Sequence, residues 1–416
     1  MSSMKKIGVF IFRYWFGISL SLINSAILLA REGYEVHIFI DKASFNASRI
    51  HFNEKNIRIH TIETNKEDTF NTSILNRLFS EKSSYYSGIE IINYSEYIFT
   101  FKELFKFCRK TLDYIDDKYA CIFGADAFGL VAGTLVAKSF SKKTEIPVIY
   151  YNLELLLDKE CASLTKKVLK SLERECNKRS ALTIIQDERR AKYLIEDNGV
   201  PENKFVYVPV SALGDIYQNK NDYLHRTLDI PKSKKIILYA GTIISECMCL
   251  EIAETAQNWD DDVVLVMHTW RADSSNYPYV DKIRRLTRNK KVYLSLNPVE
   301  KESLPELLSS ADIGVVFYQN LSANCYETGY SSNKLADYLQ VGLPVITSDY
   351  PSFREVIEGY KCGRCAKGPD EIGELAKEIF SDYDSYRNNA FKCYQEKYEF
   401  SKYFKVVIDK LKDMGV

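Results

Sequence analysis

"GYSSNKLADYLQVGLPVITSD", Gly329 to Asp349, runs from a loop of small polar residues into a short helix, through the turn Gly342-Leu343-Pro344, and on into a strand. Small hydrogen-bonding residues just ahead of a helix have a physical use. The first turn of a helix carries unpaired backbone N–H groups and about half a positive charge, which makes it a seat for an anion such as phosphate. Ser331, Ser332 and Asn333 stand where a cap would, and Lys334 and Asp337 follow in the first turns. Two readings are open at this point: an ordinary capped helix feeding a strand, or a phosphate seat. The rest of the chain decides between them.

A chain of 416 residues, 46% of them apolar, predicts two or three domains with full cores. Its 56 basic and 56 acidic residues balance, which removes any global electrostatic argument for a nucleic-acid partner. Ten cysteines at irregular spacings read as reduced thiols, predicting a cytoplasmic protein. Cys362-Gly363-Arg364-Cys365 spells CxxC, but the one other close pair, Cys247-Met248-Cys249, has the wrong spacing for a structural zinc, so no metal site is expected. The uncharged run Tyr14 to Ala30 is interrupted by Gly17, Ser19, Ser21, Asn24 and Ser25 and is short for a membrane span. It parses better as strand Ile7 to Phe12, loop Arg13 to Gly17 and helix Ile18 to Glu32, with strand Glu35 to Asp41 following.

That βαβ opening recurs. Strand Cys121 to Gly124 runs into Ala125-Asp126-Ala127-Phe128-Gly129, with a helix following to about Ser141 and then strand Pro147 to Tyr151. A second series begins with strand Lys235 to Tyr239, meeting Gly241-Thr242, and continues through Val263 to His268, Lys291 to Leu294 and Ile313 to Phe317. The expected fold class is α/β, two doubly wound Rossmann-like domains facing across a cleft. The expected boundaries are one Rossmann-like domain over 1–210, a second over 211–395 and a C-terminal helix over 396–416 that packs back on the first domain. Ligands of such sheets sit beyond the carboxyl ends of the strands. The loops so placed are Arg13 to Gly17, Gly124 to Gly129 and Asn152 to Leu155 in the first half. In the second they are Gly241 to Glu246, His268 to Asp273, Leu296 to Val299 with Pro298 and Val299, and Gly329 to Lys334.

Three stretches and the repeated βαβ pattern carry a family resemblance. "SSNKLADYLQVGLPVITSD", "KIILYAGTI" (235–243), "LTIIQDERRAKYLIEDNGVPENKFVYVPVSA" (182–212) and the repeated βαβ pattern resemble the retaining GT-B glycosyltransferases of the "glycosyl transferases group 1" type. The resemblance implies a sugar transferred from a nucleotide diphosphate sugar, UDP- or GDP-linked, to a glycan or lipid-linked acceptor in surface polysaccharide or glycolipid assembly, with no cofactor. It implies that Asp337, five positions before Gly342, contacts the nucleotide ribose. Two departures stand out. The acidic residue that many relatives place eight positions before the ribose-binding one is Gly329 here, with Glu327 nearby. The cation that many carry in the loop after the second domain's first strand is absent from Gly241 to Glu251, leaving Lys334, Arg271 or Arg13 to supply it.

The chemistry follows from charge. Breaking a sugar to phosphate bond needs stabilisation of the departing diphosphate, and a helix N-terminus plus a cation provides that without a metal. Lys334 is the expected cation. Asp126 is the first-half candidate for acid–base work, or else a turn-capping aspartate. His268 is a donor-site group or a structural hydrogen-bonder. Glu154 faces the ligand side or starts a helix. Arg13, Gly17 and Glu154 are the acceptor-side candidates; Gly241, Thr242, His268, Arg271, Pro298, Val299, Ser331, Ser332, Asn333, Lys334 and Asp337 are the donor-side set. Asp260-Asp261-Asp262 precedes a strand at the wrong end to hold a metal at this site. A 2-epimerase on the same architecture and a non-catalytic sugar-nucleotide-binding subunit are the rival readings. "IFTFKELFKFCRK", Ile98 to Lys110, sets an apolar stripe of Ile98, Phe101, Leu104, Phe105 and Cys108 beside four cations, suiting either an anionic membrane surface or packing on the first sheet.

Overall fold

The structure is a computed structural model describing residues 4–14, 19–45, 52–64, 88–140, 146–269 and 278–416, with the side chains of 88–95 left out. Gly17 and Arg271 lie outside the described residues. Contacts divide the chain into two units, one formed by the chain up to Val208 together with Phe404–Val416, the other by Pro209–Tyr403.

The first unit holds β1 (Lys6–Ile11), β2 (Glu35–Asp41), β3 (Ile57–Ile62), β4 (Tyr119–Ala125), β5 (Val148–Tyr151), β6 (Leu182–Ile185) and β7 (Phe205–Tyr207), in the order β3-β2-β1-β4-β5-β6-β7, all parallel. β3 was not marked in the sequence. Helices cover the sheet, so the central strands are buried almost end to end, as their continuous Ile, Val and Phe runs require. Local signals set several helix ends. Ser163 caps the helix Leu164–Arg179 by accepting from Lys166 N. Asp187 caps Glu188–Asn198, which Gly199 ends in the left-handed conformation. The C-terminal residues of this unit are tied to its start: Tyr34 Oη donates to Val416 O at 3.1 Å and Lys412 pairs with Glu32 at 2.7 Å.

Two expectations are corrected here. The helix after β4 begins at Asp126 itself and runs to Phe140, with Gly129 inside it. A Cβ on Gly129 would collide with Phe10 O, and one on Gly124 with the backbone of Leu130, so the two glycines let this helix cross the sheet without a loop. In the helix Gly88–Thr111 the buried stripe is Phe101, Leu104, Phe107 and Cys108. Phe107 sits inside against the rings of Phe12 (5.3 Å) and Phe10 (6.2 Å), while Phe105 points outward.

The second unit holds β8 (Lys235–Ala240), β9 (Val263–His268), β10 (Val292–Ser295), β11 (Ile313–Val316), β12 (Val345–Ser348) and β13 (Gly363–Ala366), ordered β10-β9-β8-β11-β12-β13 and again parallel. β13 was hidden by the CxxC reading. Its backbone pairs with β12 so closely that a Cβ on Gly363 would strike Val345 O, Cys365 lies beside Thr347, and all ten cysteines are free thiols. Asp260 and Asp262, before β9, pair with Lys377 and Lys235.

Candidate active site

An open parallel sheet binds ligands where its strand order reverses. In the second unit that point lies between β8 and β11. The helix Asn333–Gln340 is fixed over it by Tyr338, whose phenol accepts from Ala240 N at 2.7 Å and donates to Leu238 O at 3.2 Å. A Cβ on Gly314 of β11 would collide with the Tyr338 ring, so the glycine makes room for this anchor. Ser332 is the cap, its Oγ accepting from Leu335 N at 3.3 Å. Asn333 Oδ1 is buried with no hydrogen-bond partner among the described residues.

Lys334 lies directly at the reversal point. Its stem passes over Gly241, where a Cβ would come within 3.0 Å of Lys334 Cδ. Its ammonium sits 4.5 Å from the ring centre of Tyr318 after β11 and 4.8 Å from that of Tyr239 in β8, with Cys247 Sγ at 3.5 Å and Tyr239 Oη at 3.4 Å. Among the described residues it makes no ion pair with a carboxylate. Burial pulls its pKa down, but the facing Tyr318 phenol and the Cys247 and Cys249 thiols outweigh that and leave it raised, so it stays protonated.

Asp337, one turn on, is half-buried. Burial pushes its carboxyl up to about 7, and Lys301 pulls the other way. Lys301 was missed in the sequence; its place two residues past Val299, beyond β10, was the available signal. Pro298 and Val299 are half-buried in that loop, and Val299 packs on the core beneath. Thr242 O accepts from Tyr239 Oη at 2.5 Å, and Ser331 Oγ donates to Glu327 O at 3.2 Å. His268 is buried with Nδ1 3.0 Å from Ser295 Oγ, and burial lowers its pKa to about 4, so it is a neutral hydrogen-bonding group at the end of β9. Gly329 is closed to any side chain: a Cβ would collide with Ser352 O, and Gly329 O accepts from Tyr398 Oη at 2.5 Å.

In the first unit the order reverses between β1 and β4, and the two residues that flank this point, Arg13 and Asp126, both hold left-handed backbone at φ 53° and 52°. Such strain in non-glycine residues concentrates at functional sites. Arg13 has its charge engaged inside the unit, donating to Glu103 Oε2 at 2.9 Å and Thr100 Oγ1 at 2.7 Å. Asp126 Oδ1 accepts from Leu153 N (2.7 Å) and Glu154 N (2.9 Å), a turn-capping contact made by one of its two oxygens; burial raises its carboxyl to about 7. Glu154 is exposed beside it. Sequence reasoning missed Tyr14 and Arg190. Arg190 is buried and donates to Leu153 O at 2.9 Å, and Tyr14 feels the charges of Asp126, Glu154 and Arg190. Asn152 Oδ1 and Gln186 Oε1, at the same strand ends, are buried without partners among the described residues. Among the described residues no group of three or more His, Cys, Asp or Glu side chains is placed to hold a metal ion.

Solved structures share this architecture over nearly the whole chain. HepE from Anabaena, solved with UDP, superposes with a TM-score of 0.68 at 12% identity, covering 99% of this chain and 100% of that one. Sucrose-phosphate synthase from Thermosynechococcus elongatus gives 0.69 at 12% identity, covering 99% of each. The chain has the GT-B fold. Within that GT-B frame, residues 255–411 match the family described as glucosyltransferase 3-like, C-terminal domain, which takes in Lys301, Lys334 and Asp337. A curated relative, chitobiosyldiphosphodolichol beta-mannosyltransferase of Candida albicans, is 21% identical over 260 residues, 58% of this chain. The match spans 56% of that relative's length.

Proposed function

We propose that the chain is a glycosyltransferase that moves a sugar from a nucleotide diphosphate sugar to an acceptor hydroxyl. The observation that carries this is Lys334, a protonated ammonium held at the reversal point of the second sheet, beside a helix N-terminus, with no carboxylate pairing it among the described residues. A site so built takes an external anion. As the bond from the anomeric carbon to the phosphate oxygen breaks, the electron pair goes to the diphosphate, and Lys334 with the helix end stabilises it. Asp337 accepts the ribose hydroxyls. Asp126, with its carboxyl raised to about 7, suits proton exchange with the acceptor hydroxyl near neutral pH. Retention of configuration, a polysaccharide or glycolipid pathway and a cytoplasmic location belong to the same reading. Glu327, buried two residues from Gly329, is the candidate for the missing sugar-facing acid.

The relatives suggest where to begin: HepE is described with UDP-glucose, and the mannosyltransferase is named for a lipid-linked diphosphate sugar. The test is release of nucleotide from UDP- and GDP-sugars with and without glycan and lipid-linked acceptors. Acceptor-dependent release is the expected result; an epimerised or free sugar formed from donor alone contradicts it. Activity should survive EDTA, and complete loss restored by Mn²⁺ or Mg²⁺ would refute the metal-free mechanism.

A lipid-linked acceptor calls for contact with a bilayer. No described helix is long and apolar enough to cross one. The helix Gly88–Thr111 exposes Phe99 (54%) and Phe105 (58%) among Lys102, Lys106, Arg109 and Lys110, a face that complements anionic headgroups at about 1 kcal/mol per cation. The protein should float with anionic liposomes at low salt, and a variant with these four cations changed to Gln should not. Wild type that stays at the bottom of the gradient ends the membrane claim.

A further inference from the structure

We infer that Tyr318, with Tyr239 behind it, is a positioning residue that holds the Lys334 ammonium in its working place without neutralising it; the inference rests on Lys334 facing a nucleotide diphosphate. A lysine side chain is long and flexible, and a buried ammonium is ordinarily fixed by pairing with a carboxylate. Here the fixing groups are two ring faces, at 4.5 and 4.8 Å, and a thiol at 3.5 Å. Ring faces attract a cation through their quadrupole but carry no net charge. The ammonium is therefore oriented while its whole charge remains for the departing diphosphate, whereas a carboxylate in the same place would compete with phosphate for it.

Both rings are rigidly mounted. Tyr318 N donates to Ser348 Oγ at 3.0 Å, and Tyr318 O accepts from Tyr350 Oη at 2.6 Å, which pins the backbone that carries the ring. Its own hydroxyl lies 3.4 Å from Ser332 Oγ, the cap of the Asn333–Gln340 helix, so one side chain touches both the cation and the helix end. Tyr239 is wholly buried and its phenol donates to Thr242 O, which ties its ring to the Gly241 loop. Tyr318 is half-buried and tolerates substitution better, so it is the residue to test.

Charge on the leaving oxygen grows toward the transition state, so loosening Lys334 should lower kcat more than it raises KM. The experiment uses UDP-glucose, then GDP-mannose, as donor probes, reading nucleotide release and calorimetric binding of UDP and GDP. Tyr318→Phe keeps the ring and should hold kcat within about threefold, while Tyr318→Leu should lose about tenfold in kcat with donor KM shifted less than about threefold. Combined with Lys334→Ala, Tyr318→Leu should add no further loss, because it acts through the lysine. Should the leucine variant melt early, Tyr318→Met takes its place in the same comparison. Leucine behaving like phenylalanine, losses that multiply in the double variant, or a rise in KM at constant kcat would each overturn the inference while leaving the glycosyltransferase reading intact. Wild type that neither binds UDP or GDP nor releases nucleotide removes that reading and this inference with it.

Discussion

Lys334→Ala should lower kcat for nucleotide release by about 100- to 1,000-fold, the range seen when a single preorganised donor to a developing oxyanion is removed. Donor KM should move far less, because the diphosphate in the bound donor carries less charge on the leaving oxygen than it does as the bond breaks. Lys334→Arg should not restore the rate. A guanidinium is planar and wider than an ammonium, and the space between the Tyr239 and Tyr318 rings, above a Gly241 on which even a Cβ would come within 3.0 Å of the lysine stem, suits a compact head group. Steady-state kinetics of the two variants, with thermal melts to establish that both fold, checks this. A tenfold rise in KM at unaltered kcat would mean that Lys334 serves binding alone.

Asp337→Ala should weaken binding of the nucleotide diphosphate by about 1.5 to 3 kcal/mol, the usual worth of hydrogen bonds to a charged group. The raised carboxyl adds a signature in pH. The ionised form accepts both ribose hydroxyls, so the stabilisation is present above the folded pKa of about 7 and is lost as pH falls through it. Between pH 8 and pH 6 affinity should drop about tenfold, since the ionised fraction changes by that factor around such a pKa. Of the neighbours, burial pushes His268 down to about 4 and holds Tyr338 and Tyr394 above their ordinary range, outside this window. Asp337→Asn should flatten the profile. Calorimetry across pH settles it, and an unchanged slope in the variant would assign the titration to another group.

Both sheets could be read from the chain because their strands are short apolar runs set between helices, and parallel strands buried on both faces leave that mark. The edge strands were harder. β3, "IRIHTI", mixes charge and histidine into its pattern, and β13, "GRCA", is four residues long and overlaps a pair of cysteines. At the site, Lys334, Ser332 and Asp337 could be named because one helix carries them at a readable spacing. Tyr239, Tyr318, Cys247 and Lys301 could not, since they meet that helix only through sheet pairing and loop closure across 16 to 95 residues of chain. Arg13 shows the opposite failure. Its position after β1 suggested a phosphate-binding cation, and no pattern in the chain signals that Glu103 and Thr100, on a helix about 90 residues on, pair with its guanidinium.

The most direct test of the central claim is a crystal structure of the chain with UDP, or with GDP if calorimetry prefers it. The account predicts the diphosphate within hydrogen-bonding distance of Lys334 Nζ and the first amides of the Asn333–Gln340 helix, with the ribose hydroxyls on Asp337. A nucleotide seated elsewhere, with the Lys334 ammonium still enclosed only by Tyr239, Tyr318 and Cys247, would contradict it.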